Sequence, residues 1–131
     1  MAEDGLVVDA SALVDLLLDE ELGRAVGERI AGAALHAPAH VDAEVLSALG
    51  RLHRGGLLAA EGVTSRLVAI ASAPIERHAV APLLARAWER RHDVRVVDAL
   101  YVELAAHLAV PLITTDAALG RATSIAEVVT R

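Results

Sequence analysis

The sequence lacks cysteine, lysine and phenylalanine, and its 131 residues include a single Trp and a single Tyr. Without cysteine the chain can form neither disulfides nor thiolate zinc sites, and it has no cysteine nucleophile. Without lysine it has no P-loop or Schiff-base lysine, and all 12 basic residues are arginine. Aromatic residues make up only 2% of the chain, so binding of single-stranded nucleic acid by base stacking is not expected.

Long apolar segments are missing as well. The longest unbroken apolar stretch, residues 79–85, contains a proline and is too short to cross a bilayer. The N-terminal residues are acidic where a secretory signal would be basic, so export is not indicated. We therefore expect a cytoplasmic protein without a membrane segment.

A packed core is expected, because 55% of the residues are hydrophobic and 23% are charged. The length suits one domain, and residues 1–131 are interpreted as a single unit. The net charge of −6 argues against a plain nucleic-acid-binding module, since such modules are usually basic. It does not exclude a nuclease, because carboxylates that hold divalent cations count as negative in this sum.

Short β-branched runs alternate with helical patterns along the whole chain. Strands are predicted at residues 6–8, 35–37 and 110–114, with an extended segment or strand at 75–80 and a last edge strand at 126–129. Helices are predicted at residues 11–18, 21–33, 41–53, 57–71, 82–91 and 98–108, with a short one after Asp116. This alternation predicts an α/β fold with a central parallel β-sheet flanked by helices.

Four acidic residues stand out by position. Asp9 and Asp116 directly follow predicted strands, and Asp98 lies where an extended run, residues 94–97, enters a helix. Glu44 lies in the first turn of another helix. Because the carboxyl ends of parallel strands share one sheet edge, we expect Asp9 and Asp116 to lie there together. If Asp98 and Glu44 enter their helices at the same edge, all four side chains meet. Their repulsion, on the order of a few kcal/mol per close pair, can be offset by Mg²⁺ or Mn²⁺, which prefer oxygen ligands.

Ordinary structural roles compete with metal binding at each of these positions. Asp98 and Asp116 suit helix N-caps, and Glu44 suits a helix dipole. A capping role is less expected at Asp9, because Ser11 could cap the same helix.

Other polar residues are weaker candidates. Ser11 and Thr114 could orient a carboxylate or serve as turn residues, and Asp93 could join the acidic cluster or remain a loop residue. The histidines show no metal-binding spacing, because a proline separates His36 from His40. Several arginines could contact phosphates, although most suit solvated helix faces: Arg24, Arg51, Arg54, Arg86, Arg90, Arg91 and Arg121.

Four segments carry a resemblance to a known family. In chain order they read VVDAS around Asp9, VDAEVLSAL around Glu44, VDALYVELA around Asp98 and LITTDAALG around Asp116. Together they resemble the PIN-domain ribonucleases, in particular the VapC-type toxins of toxin–antitoxin pairs. The resemblance extends from about residue 6 to the C-terminus.

This resemblance implies a PIN-like three-layer sandwich and cleavage of RNA phosphodiester bonds with Mg²⁺ or Mn²⁺. It implies an RNA substrate, a cognate VapB-type antitoxin that inserts a basic side chain into the acidic site, and a homodimer. It also implies that four acids form the metal site with two polar residues in support: Asp9, Glu44, Asp98 and Asp116, with Ser11 and Thr114.

Two positions depart from the family pattern, and other functions remain open. Val97 stands where an aromatic residue is common, and Arg95 stands where a small hydroxyl residue is common, so substrate choice and site shape are left open. One alternative is a non-catalytic module of the same fold that binds a basic peptide. Another is a metal-independent nuclease that uses histidine pairs such as His36 and His40. A haloacid-dehalogenase-like phosphatase would need a lysine, which is absent.

Overall fold

The computed structural model describes residues 5–131 and confirms the α/β class. One parallel sheet has the strand order β3-β2-β1-β4-β5, with β1 (Gly5–Val8), β2 (Ala34–Pro38), β3 (Ile75–His78), β4 (Leu112–Thr114) and β5 (Ala126–Val128). Between them lie α1 (Ala10–Leu18), α2 (Glu21–Ile30), α3 (Val41–Arg54), α4 (Ala60–Ala71), α5 (Leu84–Glu89), α6 (Val96–Leu108) and α7 (Ala117–Ala122). A 3-10 turn, Ala81–Leu83, precedes α5.

The path of the chain across the sheet reverses direction once. From β1 the chain moves outward to β2 and β3, then crosses to β4 and β5 on the other side. Because parallel crossovers are right-handed, α1–α4 cover one face and α5–α7 cover the other. The packing agrees, since α1–α4 contact one another while α6 contacts α5, β1, β2 and β4. The result is the expected three-layer arrangement.

The core lies at the centre of these layers. Every residue of β1 is buried, because a central parallel strand is covered on both faces. Helix α6 is buried over Ala99–Ala105, so it lies inside the molecule and shows no clear polar face. Within residues 5–131, every helix is too short or too polar to traverse a lipid bilayer.

The start of α6 corrects one expectation. Residues 94–97 were predicted to be extended because they include β-branched valines, but Val96 and Val97 already belong to the helix. The extended backbone ends at Arg95, whose carbonyl accepts a hydrogen bond from the Ala99 N–H. Asp98 therefore lies in the first turn of α6 and does not precede it. The valines are tolerated there because helix propensity differences are small beside tertiary packing.

Helices α1 and α2 touch through their backbones. A Cβ atom added at Gly23 of α2 would lie 2.0 Å from the Asp15 carbonyl oxygen of α1. This is much closer than any carbon–oxygen contact, so a side chain at position 23 would force the helices apart. The contact fixes the position of α1, and the first turn of α1 lines a cavity at the edge of the sheet.

Candidate active site

A cavity of about 360 Å³ opens where the strand order reverses. Strands β1 and β4 are neighbours there, and their connections lead to opposite faces of the sheet, which leaves a crevice at their carboxyl ends. Asp9 follows β1, and Asp116 lies two residues beyond the end of β4. All four acids predicted from the sequence line this cavity, which we call the acidic pocket: Asp9, Glu44, Asp98 and Asp116.

Asp9 is the most enclosed acid of the pocket. Its Oδ1 accepts hydrogen bonds from the Ala12 N–H at 2.9 Å and from the Ser11 hydroxyl at 2.7 Å. Its Oδ2 accepts one from the Thr114 hydroxyl at 2.5 Å. Burial raises the pKa of Asp9 to about 6, although these hydrogen bonds oppose the shift. Asp9 is thus itself the N-cap of α1, and Ser11, the other candidate for that role, donates to Asp9 instead.

The two predicted supporting hydroxyls also join the two sides of the crevice. Ser11 Oγ accepts a hydrogen bond from the Thr115 N–H at 3.2 Å, and Thr114 Oγ1 accepts one from the Asp116 N–H at 3.0 Å. The two hydroxyl oxygens lie 3.1 Å apart. Since both hydroxyls also donate to Asp9, they hold its carboxylate at a fixed position between β1 and β4.

Both Asp116 and Asp98 were candidates for helix N-caps, and only Asp116 takes that role. Asp116 caps α7, because its Oδ1 accepts from the Ala118 and Leu119 N–H groups at 2.9 and 3.4 Å. Asp98 makes no capping bond, since the N-cap of α6 is Arg95. The Arg95 Nε lies 3.4 Å from Asp98 Oδ2.

The pKa of Asp98 depends on the charged groups around it in the pocket. Burial raises the pKa of Asp98, the positive charge of Arg95 opposes that shift, and the charges of Glu44 and Asp116 add to it. Asp98 thus lies within the electrostatic field of Glu44 and Asp116, and its own charge raises the pKa of Asp9, as a shared site requires.

Two residues that were not predicted to support the acids contact Glu44. The Tyr101 hydroxyl donates to Glu44 Oε1 at 2.5 Å, and His40 Nε2 lies 3.4 Å from the same oxygen. Burial, together with this bond to Glu44, raises the pKa of Tyr101. A helical spacing was the available signal, because Tyr101 lies three residues after Asp98 and His40 lies four before Glu44.

The rim of the acidic pocket is basic. Arg51 and Arg95 line it, and the Arg95 side chain is 79% exposed, so it is free to reach a bound anion. Asp93 does not line the acidic pocket, but it lines an adjoining cavity together with Asp98 and Asp116. Within the described chain, no three carboxylates of the pocket bring oxygens within 4.8 Å of one another. The carboxylates thus line the cavity without direct contact among any three of them.

The sequence comparisons agree on one family. The PIN domain family matches residues 6–124. Ribonuclease VapC3 of Mycobacterium tuberculosis is 52% identical over 118 residues, which cover 89% of this chain and 86% of that protein. Ribonuclease VapC12 of the same organism is 39% identical over 116 residues, which cover 88% and 90%.

Two solved structures share the fold. The crystal structure of Mycobacterium tuberculosis VapC20, described as a sarcin-ricin loop cleaving toxin, superposes with a TM-score of 0.69 at 23% identity. That alignment covers 89% of this chain and 94% of the other. PAE2754 from Pyrobaculum aerophilum superposes with a TM-score of 0.67 at 24% identity, over 93% and 81% of the two chains.

Proposed function

Because this chain belongs to the PIN domain family, and within it to the VapC-type ribonucleases, we propose that it cleaves RNA phosphodiester bonds at the acidic pocket. The observation that carries the proposal is the gathering of four carboxylates from four separate elements in one cavity. Such a gathering of like charges is unfavourable for folding alone. Its persistence at the sheet's reversal point favours a functional role.

The donor set of the pocket suits a hard divalent cation. Its ligand atoms are carboxylate oxygens with hydroxyls beside them, which Mg²⁺ and Mn²⁺ prefer to nitrogen or sulfur. A cation bound there supplies electrophilic activation of the attacking water and of the phosphate. The residues that would hold it are Asp9, Glu44, Asp98 and Asp116.

The chain's own residues position the acids and the substrate. Ser11 and Thr114 orient Asp9, because each hydroxyl donates a hydrogen bond to one of its carboxylate oxygens. Tyr101 orients Glu44 in the same way. Arg95 would contact the RNA backbone, which positions a substrate without reading its bases.

The proposed partners follow from membership of this family. We propose a cognate VapB-type antitoxin that places a basic side chain in the acidic pocket, where four carboxylates would bind it. We also propose that the protein forms a homodimer and that residues 1–131 form a single PIN-like domain. We expect it to act in the cytoplasm, where cellular RNA is found.

A cleavage assay tests this function directly. Wild-type protein is incubated with total bacterial RNA in the presence of Mg²⁺ or Mn²⁺, or with excess EDTA, and the new RNA ends are mapped. We expect discrete metal-dependent ends, and a more than hundredfold slower rate for Asp98→Asn, since even groups that only support a metal ligand contribute about 10–100-fold. The matched control is Asp19→Asn, because the Asp19 side chain is 80% exposed and lies far along α1 from the pocket.

Two results would contradict the proposal. Cleavage that survives full chelation would favour the metal-independent alternative. If folded wild-type protein produces no ends and Mn²⁺ does not raise its melting temperature, the pocket is a docking surface for a basic peptide.

A further inference from the structure

A second group of metal-binding side chains lies on the β2–β3 strand pair. His36 of β2 is in register with Glu76 of β3, and His78 follows two residues later. Because side chains alternate along a strand, all three project from one face of the sheet. Arg77, between them in sequence, turns to the other face and pairs with Asp42 of α3. The histidine cluster of His36, Glu76 and His78 thus faces away from α3 and α4, and none of its members lines the acidic pocket.

Three ligand atoms of this cluster are in mutual contact. His36 Nδ1 lies 3.0 Å from His78 Nε2 and 3.0 Å from Glu76 Oε2, and His78 Nε2 lies 3.2 Å from that same oxygen. An imidazole nitrogen either carries a proton or presents a lone pair, and a carboxylate oxygen only accepts. Three such atoms cannot be arranged so that each pair joins a donor to an acceptor. Whatever the protonation states, at least one of the three contacts therefore joins two donors or two acceptors.

A bound cation removes this conflict, because it accepts all three lone pairs at once. Zinc bonds of about 2.0–2.1 Å in tetrahedral geometry place neighbouring ligand atoms about 3.3 Å apart. The triangle of 3.0, 3.0 and 3.2 Å formed by the three ligand atoms is close to one face of such a tetrahedron. Within residues 5–131, this is the one place where three acidic or histidine ligands come within 4.8 Å of one another.

We infer that the histidine cluster is a binding site for a divalent cation of the zinc class, with its fourth position open to solvent. Two nitrogens and one carboxylate suit Zn²⁺, Co²⁺ or Ni²⁺ and disfavour Mg²⁺. The ion has access, because the Glu76 side chain is 66% exposed and the two imidazoles are partly exposed. The site would join β3, which lies at the edge of the sheet, to β2. The inference does not depend on the proposed nuclease function.

Cobalt spectroscopy on the full chain, free of any histidine tag, tests this site. With excess Mg²⁺ present to compete at the acidic pocket, Co²⁺ should give the intense visible absorption of tetrahedral coordination at one equivalent per chain, and Zn²⁺ should abolish it. We expect His36→Gln and His78→Gln to weaken binding more than tenfold, since even residues that only support a ligand contribute about 10–100-fold. His107→Gln is the matched control, because His107 is exposed on α6, and it should bind as the wild type does.

The Glu76→Gln variant and an NMR titration of the wild-type protein test the site even if the histidine variants misfold. Glu76 is mostly exposed, so its substitution should leave the fold intact and still weaken Co²⁺ binding. In wild-type protein, Zn²⁺ should shift the ring ¹⁵N signals of His36 and His78 and leave that of His107 unchanged. The inference is overturned if these signals do not move, or if Co²⁺ binding survives in Glu76→Gln and both histidine variants and is lost in Asp9→Asn.

Discussion

The acidic pocket and the histidine cluster bring together ionisable side chains in opposite ways. In the acidic pocket the carboxylates surround an open cavity, and Asp9, Glu44 and Asp116 each accept hydrogen bonds from neighbouring hydroxyl or backbone groups. In the histidine cluster the ligand atoms touch one another at 3.0–3.2 Å. A wide site with separately anchored oxygens can accommodate ions together with a substrate. A tight triangle accommodates a single ion.

The two sites also differ in how the fold assembles them. The acidic pocket draws on residues that span more than one hundred positions, and it exists because β1 and β4 diverge at the reversal of the sheet. The histidine cluster needs only the register of two neighbouring strands. Damage to one site should therefore leave the other intact. The first of the following experiments tests that separation, and the others sharpen the account of the acidic pocket.

The largest effect is expected from Asp9→Asn. The neutral amide would keep the contacts of Asp9 with the Ala12 N–H and the Ser11 hydroxyl, so the fold should remain while a carboxylate is lost. We expect RNA cleavage to fall by more than about a hundredfold and Mn²⁺ to stop raising the melting temperature. Zinc binding at the histidine cluster should be unchanged, as measured by Co²⁺ absorption.

Cleavage by Asp9→Asn at the wild-type rate would remove Asp9 from the active site. Loss of both cleavage and zinc binding in this variant would instead show that the two sites are coupled, and the comparison would fail.

The next largest effect is on the pH dependence of stability. The pKa of Asp9 is about 6 in the folded chain and 3.8 without its surroundings, so between pH 4 and 6 the folded state retains a proton that the unfolded state has lost. The free energy of unfolding should therefore fall as pH rises through this window, in total by on the order of 1–3 kcal/mol. Urea titrations of metal-free protein at pH 4, 5, 6 and 7 measure this slope.

Asp9→Asn provides the control for that slope. The variant should lack the decline that Asp9 causes and should be more stable than the wild type at pH 7, since a buried charge has been removed. Asp19→Asn should keep the slope, because the Asp19 side chain is 80% exposed and lies outside the acidic pocket. An equal slope in wild type and Asp9→Asn would show that Asp9 is not the group responsible.

A smaller effect is expected from Tyr101→Phe. This change removes the hydroxyl that donates to Glu44 Oε1 and leaves the buried ring in place. We expect the free energy of unfolding to fall by about 1 kcal/mol. This is below the usual value for a hydrogen bond to a charged group, because Glu44 is partly exposed. Cleavage should slow by about tenfold, because Glu44 keeps its charge and loses its orientation. Chemical denaturation and initial cleavage rates measure the two effects, and an unchanged rate would show that Tyr101 does not position Glu44.

The sequence predicted the sheet and its acidic edge well, for a physical reason. Asp9 and Asp116 follow buried strands, and a parallel sheet places the ends of such strands together whatever the details of packing. The positions of Glu44 and Asp98 relative to these acids depended on how α3 and α6 pack, and there the family resemblance supplied what periodicity could not.

The histidine cluster could not be predicted from the sequence in the same way. His36 and His78 lie 42 residues apart, on strands whose relative register depends on the packing of α3 and α4 between them. Local spacing directed attention to His36 and His40 instead, and the structure separates these two. His36 contacts His78, whereas His40 borders Glu44.

Gly23 limits how this scaffold can be altered. The backbones of α1 and α2 meet at this residue, so the helix that follows Asp9 depends on a position that takes no part in chemistry or binding. A mutant library built on this scaffold could vary exposed side chains around the acidic pocket, but it would have to keep glycine at position 23.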